Sequence, residues 1–350
     1  MSTDEVVYPL DTHEAVDLVA DATFARQPLW PRSEAANGVY FGPDVKGRPA
    51  VVAIGAFDGF HLGHRSLIEG ALRDARAHGW MCVAITFNPD PSRVVFPGGE
   101  ELQLLAVDDR IRALATCGID GVVALSFTME LARLTPEEFI DEALMPYVDV
   151  RVVHVGENFH FGYKAAGDVA LLRALGGARG FEVCSYPLVQ REVAPVSSTR
   201  IRQLLSEPGR IDDARRLLGR CHFVRGTIEH GRGEGKGFGF PTANVRCDEG
   251  SCMPAMGVYA GYVLMGNSAW PAAINVGAPV SFGLIEERFL EANLVGFEGD
   301  LYGMRATVIF VSWLRPARKF DSLDELVSVV NSNIDWVREN LGAGGIEVLA

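Results

Sequence analysis

The segment Gly55-Ala56-Phe57-Asp58-Gly59-Phe60-His61-Leu62-Gly63-His64 concentrates glycine and histidine at a spacing suited to phosphate chemistry. Gly55, Gly59 and Gly63 let backbone approach a ligand closely, and free N–H groups at a helix start attract anions. His61 and His64 stand three residues apart, so on a first helical turn both rings can face one phosphate. Such a pair also suits zinc, but no third ligand has the usual spacing and no thiolate lies near. The flanking glycines fit phosphate better than metal.

Three further patches carry related chemistry. Thr86-Phe87-Asn88-Pro89-Asp90-Pro91 ends an apolar run in a rigid turn, and Gly156-Glu157-Asn158-Phe159-His160-Phe161-Gly162-Tyr163 follows another. Val196-Ser197-Ser198-Thr199-Arg200-Ile201-Arg202 places hydroxyls and a guanidinium at a helix start, a combination suited to a triphosphate. Serine and threonine in that position are usually only caps, so the weight lies in the convergence of all three patches on strand ends.

A second constellation lies downstream. Arg232-Gly233-Glu234-Gly235-Lys236-Gly237-Phe238-Gly239-Phe240 has the glycine density of a flap over a ligand, yet Lys236 is followed by glycine, so it is no P-loop. It runs into Pro241-Thr242-Ala243-Asn244, where a hydroxyl and an amide carbonyl two apart on a strand point the same way, as oxygen ligands for Mg²⁺ should. Leu290-Glu291-Ala292-Asn293-Leu294 then sets a carboxylate in a strand.

These groups need elements to hold them. Val51–Gly55, Met81–Phe87, Gly121–Ser126, Arg151–Val155 and Phe181–Tyr186 read as apolar strands. Helical patterns at His64–His78, Asp108–Cys117, Gly167–Arg179 and Ser198–Leu205 alternate with them. Thr135-Pro136-Glu137-Glu138 is a helix start with a capping hydroxyl, proline and acids. This grammar predicts a doubly wound parallel sheet with ligands at the carboxyl ends of its strands. After a short helix at Arg210–Leu218 the grammar changes to successive strands, with Gly266-Asn267 turning one hairpin. An antiparallel barrel is expected there, closed by a helix over Leu323–Leu341.

Composition bounds the rest. The chain has 350 residues, 48% hydrophobic and 22% charged, enough for two globular domains. A net charge of −13 excludes a broad nucleic-acid surface. Its six cysteines include no C-x-x-C pair and read as reduced thiols. The acidic first thirty residues lack a secretory signal and no run approaches the ~20 apolar residues of a membrane span. The expectation is a soluble, cytoplasmic protein without membrane or nucleic-acid partners.

His-x-Gly-His after a strand resembles the nucleotidyltransferase superfamily. The whole order resembles the bacterial bifunctional riboflavin kinase/FAD synthetase (FMN adenylyltransferase) family: the 55–64 motif, the Phe-x-Pro-x-Pro turn at 87–91, Gly-x-Asn-Phe-x-Phe-Gly at 156–162, Ser-Ser-Thr-Arg-Ile-Arg at 197–202, Pro-Thr-Ala-Asn at 241–244, Glu291 and Asp-Leu-Tyr-Gly at 300–303. The resemblance implies a nucleotidyltransferase domain over 46–206, a linker helix over 207–219 and a β-barrel riboflavin kinase domain over 220–345. Residues 1–45 form an extension without an assigned role.

It further implies two reactions, riboflavin to FMN in the barrel and FMN to FAD in the parallel-sheet domain. Mg²⁺ is the cofactor, ATP the co-substrate, and FMN and FAD the products. His61, His64 and Arg200 would be catalytic for adenylyl transfer, and Glu291 the base for the kinase. Gly55, Phe57, Asp58, Gly63, Asn158, Ser197, Ser198, Thr199, Gly235 and Lys236 would bind nucleotide, and Thr242 and Asn244 the metal. Ala56 stands where the family commonly has asparagine, Asp90 where it has histidine and Gly296 where it often has aspartate. The segment 275–282 shifts the family's proline. Two alternatives stay open at this stage: an FAD synthetase with a degenerate flavin-binding barrel, and a non-catalytic flavin or nucleotide sensor.

Overall fold

The structure, a computed structural model, describes residues 6–35, 38–43, 45–95, 102–191, 194–230, 242–277, 280–281, 284–285 and 289–349. The chain divides into two compact units, Gln27–Ser198 and a second made of Met1–Arg26 with Thr199–Ala350.

Apolar strands separated by amphipathic helices give the first unit its form. Strands β3 (Pro49–Ile54), β4 (Met81–Asn88), β5 (Gly121–Ser126), β6 (Asp149–Gly156) and β7 (Glu182–Tyr186) pair in parallel in the order β5-β4-β3-β6-β7. A hairpin of β1 (Arg32–Ala35) and β2 (Gly38–Phe41) adds antiparallel to the β5 edge, an extension that the weak N-terminal pattern did not announce. The core runs through Val52, Ile54, Val83, Ile85, Val123, Leu125, Val153 and Val155, which explains why these strands read as almost continuous apolar runs. Crossovers carry α2 (Leu62–His78), α3 (Pro91–Val95), α4 (Val107–Ala115), α5 (Pro136–Phe139) and α6 (Val169–Arg179). Thr135 is the capping hydroxyl read from the sequence, and Glu138 caps it in return. A two-residue hairpin, β8 (Gln190–Arg191) with β9 (Ala194–Pro195), precedes α7 (Ser198–Ser206). The division at 198/199 falls after the first residue of α7 and the expected boundary at 206/207 at its end.

In the second unit, after α8 (Ile211–Leu218), six antiparallel strands close on themselves: β12 (Gly257–Met265), β17 (Arg305–Pro316), β10 (His222–Glu229), β11 (Ala243–Cys247), β16 (Phe289–Leu294) and β13 (Ser268–Gly277), which pairs back to β12. The short strands β14 (Val280–Ser281) and β15 (Leu284–Ile285) pair with each other, and β18 (Ile346–Glu347) joins β13. Every residue of β12 is buried, because one face fills the barrel and the other lies under the C-terminal helix Leu323–Leu341. Tyr262 donates its hydroxyl to the Leu341 carbonyl at 2.7 Å, tying strand to helix end.

The N-terminal segment belongs to this same unit. Helix α1 (Thr12–Thr23), capped reciprocally by Asp11 and Glu14, packs on β10, β17 and β18. Leu10 N–H donates to the Asn340 carbonyl, Tyr8 meets Trp336 edge to face, and the Arg220 guanidinium lies over Phe24.

Barrel closure also depends on a close approach at Gly261, where the register of β12 against β17 shifts. A Cβ at that position would lie 1.9 Å from the Ile309 carbonyl oxygen. Gly261→Ala is expected to cost about 1–3 kcal/mol of stability by overpacking. Urea unfolding followed by tryptophan fluorescence measures it, and an unchanged midpoint would contradict this packing.

Candidate active sites

The first site grows from the turn between β3 and α2. Phe57 and Phe60 take left-handed backbone conformations, φ +52° and +40°, with both rings fully buried. Side chains rarely accept such strain unless the surroundings fix it. Asp58, 2% exposed, fixes it from one side: its carboxylate accepts the Leu104 and Leu105 amides at 3.1 and 3.0 Å. These contacts make Asp58 a clasp for the loop rather than a free group facing a nucleotide.

Arg110 on α4 fixes it from the other side, a role the sequence reading missed. Its buried guanidinium donates to the carbonyls of Ala56 (2.7 Å), Phe87 (3.0 Å) and Leu105 (3.4 Å) and reaches Thr86 Oγ1 at 3.3 Å. Thr86 Oγ1 in turn donates to the Ala56 carbonyl. The available signal was an arginine four residues before Leu114, on the apolar face of α4.

This turn delivers the imidazole pair. His61 caps α2, its Nδ1 accepting the His64 amide at 3.3 Å, so its proton sits on Nε2. The two rings stack with centroids 3.6 Å apart, and Phe57 meets His64 edge-on. Gly63 leaves room between them, since a Cβ there would press on the His61 ring at 3.1 Å. Burial pushes the His61 imidazole down to about 4. Burial, His61 and the Arg110 charge hold His64 well below its usual value. The His64 Nδ1 is buried and has no hydrogen-bond partner among the described residues.

Of the other predicted groups, Ser198 joins this turn by donating its hydroxyl to the Asp58 carbonyl at 2.8 Å. Ser197 is half-buried beside it, and the same helix start continues into exposed Thr199 and half-buried Arg200, whose Nη1 bonds Gln203. Gly55 sits at the mouth of β3. Asn158 is exposed in the loop after β6. Asp90, standing where an imidazole was expected, accepts from the Ser92 amide and hydroxyl and so caps α3.

The second site is a row across the barrel wall. Asn244 on β11 lies directly opposite Glu291 on β16, and Glu291 lies directly opposite Asn275 on β13. Opposed residues share a face, so two amides flank one carboxylate. All three are half-buried and alternate with buried neighbours, Ala243 and Val245, Leu290 and Ala292, Ile274 and Val276. Asn275 was read only as part of an altered segment; register is what adds it. Thr242, half-buried, immediately precedes β11. The oxygen donors of Thr242, Asn244 and Glu291 are of the hard type that Mg²⁺ takes. Gly235 and Lys236 lie outside the described residues. Gly296 has φ +76°, and a Cβ there would lie 2.4 Å from the Ala343 carbonyl oxygen. The residues after the C-terminal helix thus fill the space an aspartate would need.

Family models described as FAD synthetase and riboflavin kinase match residues 44–200 and 218–341. The chain is 33% identical over 293 residues to the bifunctional riboflavin kinase/FMN adenylyltransferase of Escherichia coli K12, covering 83% of this chain and 93% of that protein. The chain belongs to the bifunctional riboflavin kinase/FMN adenylyltransferase family. Its likeness to the Bacillus subtilis member is 29% over 288 residues, covering 81% and 90% of the two chains. A solved structure from Streptococcus pneumoniae, described as a macrolide-efflux protein, superposes with a TM-score of 0.76 at 32% identity, covering 85% of this chain and 94% of that one. Among the described residues no helix is long and apolar enough to cross a membrane.

Two outcomes test the first site. His61 is expected to titrate near pH 4 in the nucleotide-free protein, read by NMR of labelled imidazoles; a midpoint at the ordinary histidine value would contradict its burial. Since the folded-state value lies below the unfolded one, the stability His61 contributes is complete above about pH 6.5 and is lost as pH falls through about 4. Arg110→Met leaves buried carbonyls without their donor and should cost roughly 3 kcal/mol, measured by urea unfolding. A change within error would show that the turn holds itself.

Proposed function

We propose that this chain phosphorylates riboflavin to FMN in the barrel and adenylylates FMN to FAD in the parallel-sheet unit, both with ATP. What carries the reading is the joint presence in one chain of a stacked imidazole pair at the start of α2 and an amide–carboxylate–amide row across the barrel.

In adenylyl transfer, an FMN phosphate oxygen forms a bond to the α-phosphorus of ATP while the bond to the β-phosphate oxygen breaks and pyrophosphate leaves. The histidines donate hydrogen bonds to the oxygens on which charge grows, from a turn that does not need to reorganise. Ser197, Ser198, Thr199 and Arg200 hold the triphosphate, with Gly55, Phe57, Gly63 and Asn158 shaping the nucleotide site. No covalent protein intermediate is needed.

In the kinase reaction, Glu291 accepts the proton of the ribityl 5′-hydroxyl as its oxygen attacks the γ-phosphorus and ADP leaves. Asn244 and Asn275, directly across from Glu291, restrict where that carboxylate can swing. Thr242 and Asn244 would hold Mg²⁺, which supplies charge neutralisation of the phosphates when bound. This row favours a working kinase over a degenerate barrel, because an idle wall has no need of a half-buried acid between two amides.

Chromatographic product analysis with riboflavin or FMN as substrate, with and without Mg²⁺, tests the assignment. Glu291→Gln should lower FMN formation by about 10²-fold or more and leave FAD formation from supplied FMN intact. His61→Ala/His64→Ala should do the reverse, by about 10²–10³-fold. Wild-type protein that makes FAD from FMN but no FMN from riboflavin would restrict the function to FAD synthesis. Absence of turnover in both assays would favour a sensor.

A further inference from the structure

The parallel-sheet unit holds a second cluster of chemistry-bearing side chains that neither reaction uses. Asp74 on α2, His154 on β6 and Cys184 on β7 bring a carboxylate oxygen, an imidazole nitrogen and a thiol within 4.8 Å of one another. His154 is 1% exposed, and its Nε2 lies 3.1 Å from Asp74 Oδ2. Its other nitrogen, Nδ1, is 2.9 Å from the Tyr186 hydroxyl, which fixes the ring so that Nε2 faces the acid. The helix makes room for that tyrosine: a Cβ at Gly70 would lie 2.2 Å from the Tyr186 oxygen.

We propose that Asp74, His154 and Cys184 form a binding site for a zinc-class divalent cation, with Tyr186 as the outer partner of the histidine. Mixed oxygen, nitrogen and sulfur donors are a zinc set, whereas Mg²⁺ avoids thiolate. Metal–ligand bonds of about 2.0–2.3 Å at tetrahedral angles place ligand atoms roughly 3.3–3.7 Å apart, so small rotations of Asp74 and Cys184 complete the geometry. A histidine whose far nitrogen is bonded to a polar group is the usual form of a metal-binding imidazole. The partly exposed Asp74 and Cys184 leave a side from which an ion and one water can enter.

The proton balance is explicit. The Cys184 thiol loses its proton to solvent, and the imidazole proton moves from Nε2 to Nδ1, where it donates to the Tyr186 oxygen. Two anionic ligands and one neutral ligand then neutralise the ion, with one proton released. Bound metal would tie α2 to β7 and to β6, from whose end Glu157 and Asn158 emerge; the Glu157 amide already bonds the Tyr186 carbonyl at 2.8 Å.

Co²⁺ titration of the chelator-treated full-length chain tests this by absorption. A thiolate-to-cobalt charge-transfer band should saturate at one equivalent and be displaced by Zn²⁺; the nucleotide sites, built without a thiolate, give no such band. Cys184→Ser should abolish the band, Cys117→Ser should keep it, and Tyr186→Phe should weaken affinity by about 10–100-fold. Zn²⁺ should raise the Tm of the wild type but not of Cys184→Ser, whose fold is checked by circular dichroism and retained riboflavin phosphorylation. Absence of the band in the wild type, or its persistence in Cys184→Ser, would overturn the proposal.

Discussion

The first unit depends on one constrained turn. Between β3 and α2 the backbone must hold two imidazoles together at the start of a helix while burying two phenylalanines in left-handed conformations. Strain of this kind costs of order 1–3 kcal/mol per residue and persists only when over-determined. Asp58 takes two amides from the 104–105 segment, and Arg110 supplies donors to three segments at once. These interactions lie behind the reacting groups. They convert a flexible glycine-rich sequence into a surface whose hydrogen-bond donors need no rearrangement.

The barrel solves the corresponding problem by pairing. Glu291 is placed by the registers of β11, β16 and β13, and a slip of one residue would move it to the opposite face. Closure of the six strands leaves no register free to slide, and the C-terminal helix packed outside β12 and β13 holds that closure. One site is therefore fixed by buried polar clasps and the other by a ladder. This accounts for the different departures each accepts. Asp90 becomes a local cap without touching the clasps, and Gly296 is set by the chain that follows the C-terminal helix.

What was legible in the sequence follows the same division. The 55–64 motif, the alternation of strand and helix and the hairpin at Gly266-Asn267 are local signals, and the structure has them where they were read. Arg110 left one local trace, its place on the apolar face of α4, but an arginine on an amphipathic helix looks like a surface charge until its carbonyl partners, distant in sequence, are known. Asn275 needed register, which no single strand reveals. Helix α1 carries its own cap, but its partners are Asn340, Trp336 and Arg220, far along the chain. Nothing in residues 6–26 alone could assign it to the barrel. The cluster of Asp74, His154 and Cys184 escaped for the same reason: its members lie on three elements, and a search for ligands near His61 in sequence passes over them.

The state of the histidines decides how an anionic protein can serve nucleotides. A net charge of −13 gives no general attraction for polyphosphate, and two imidazolium ions stacked at 3.6 Å would repel each other. Burial keeps both rings neutral before substrate arrives. A neutral ring with its proton on Nε2 binds a ground-state phosphate only modestly. It gains most where negative charge develops during transfer, and only that difference lowers the barrier. A charged pair would have spent the same interaction on holding ATP.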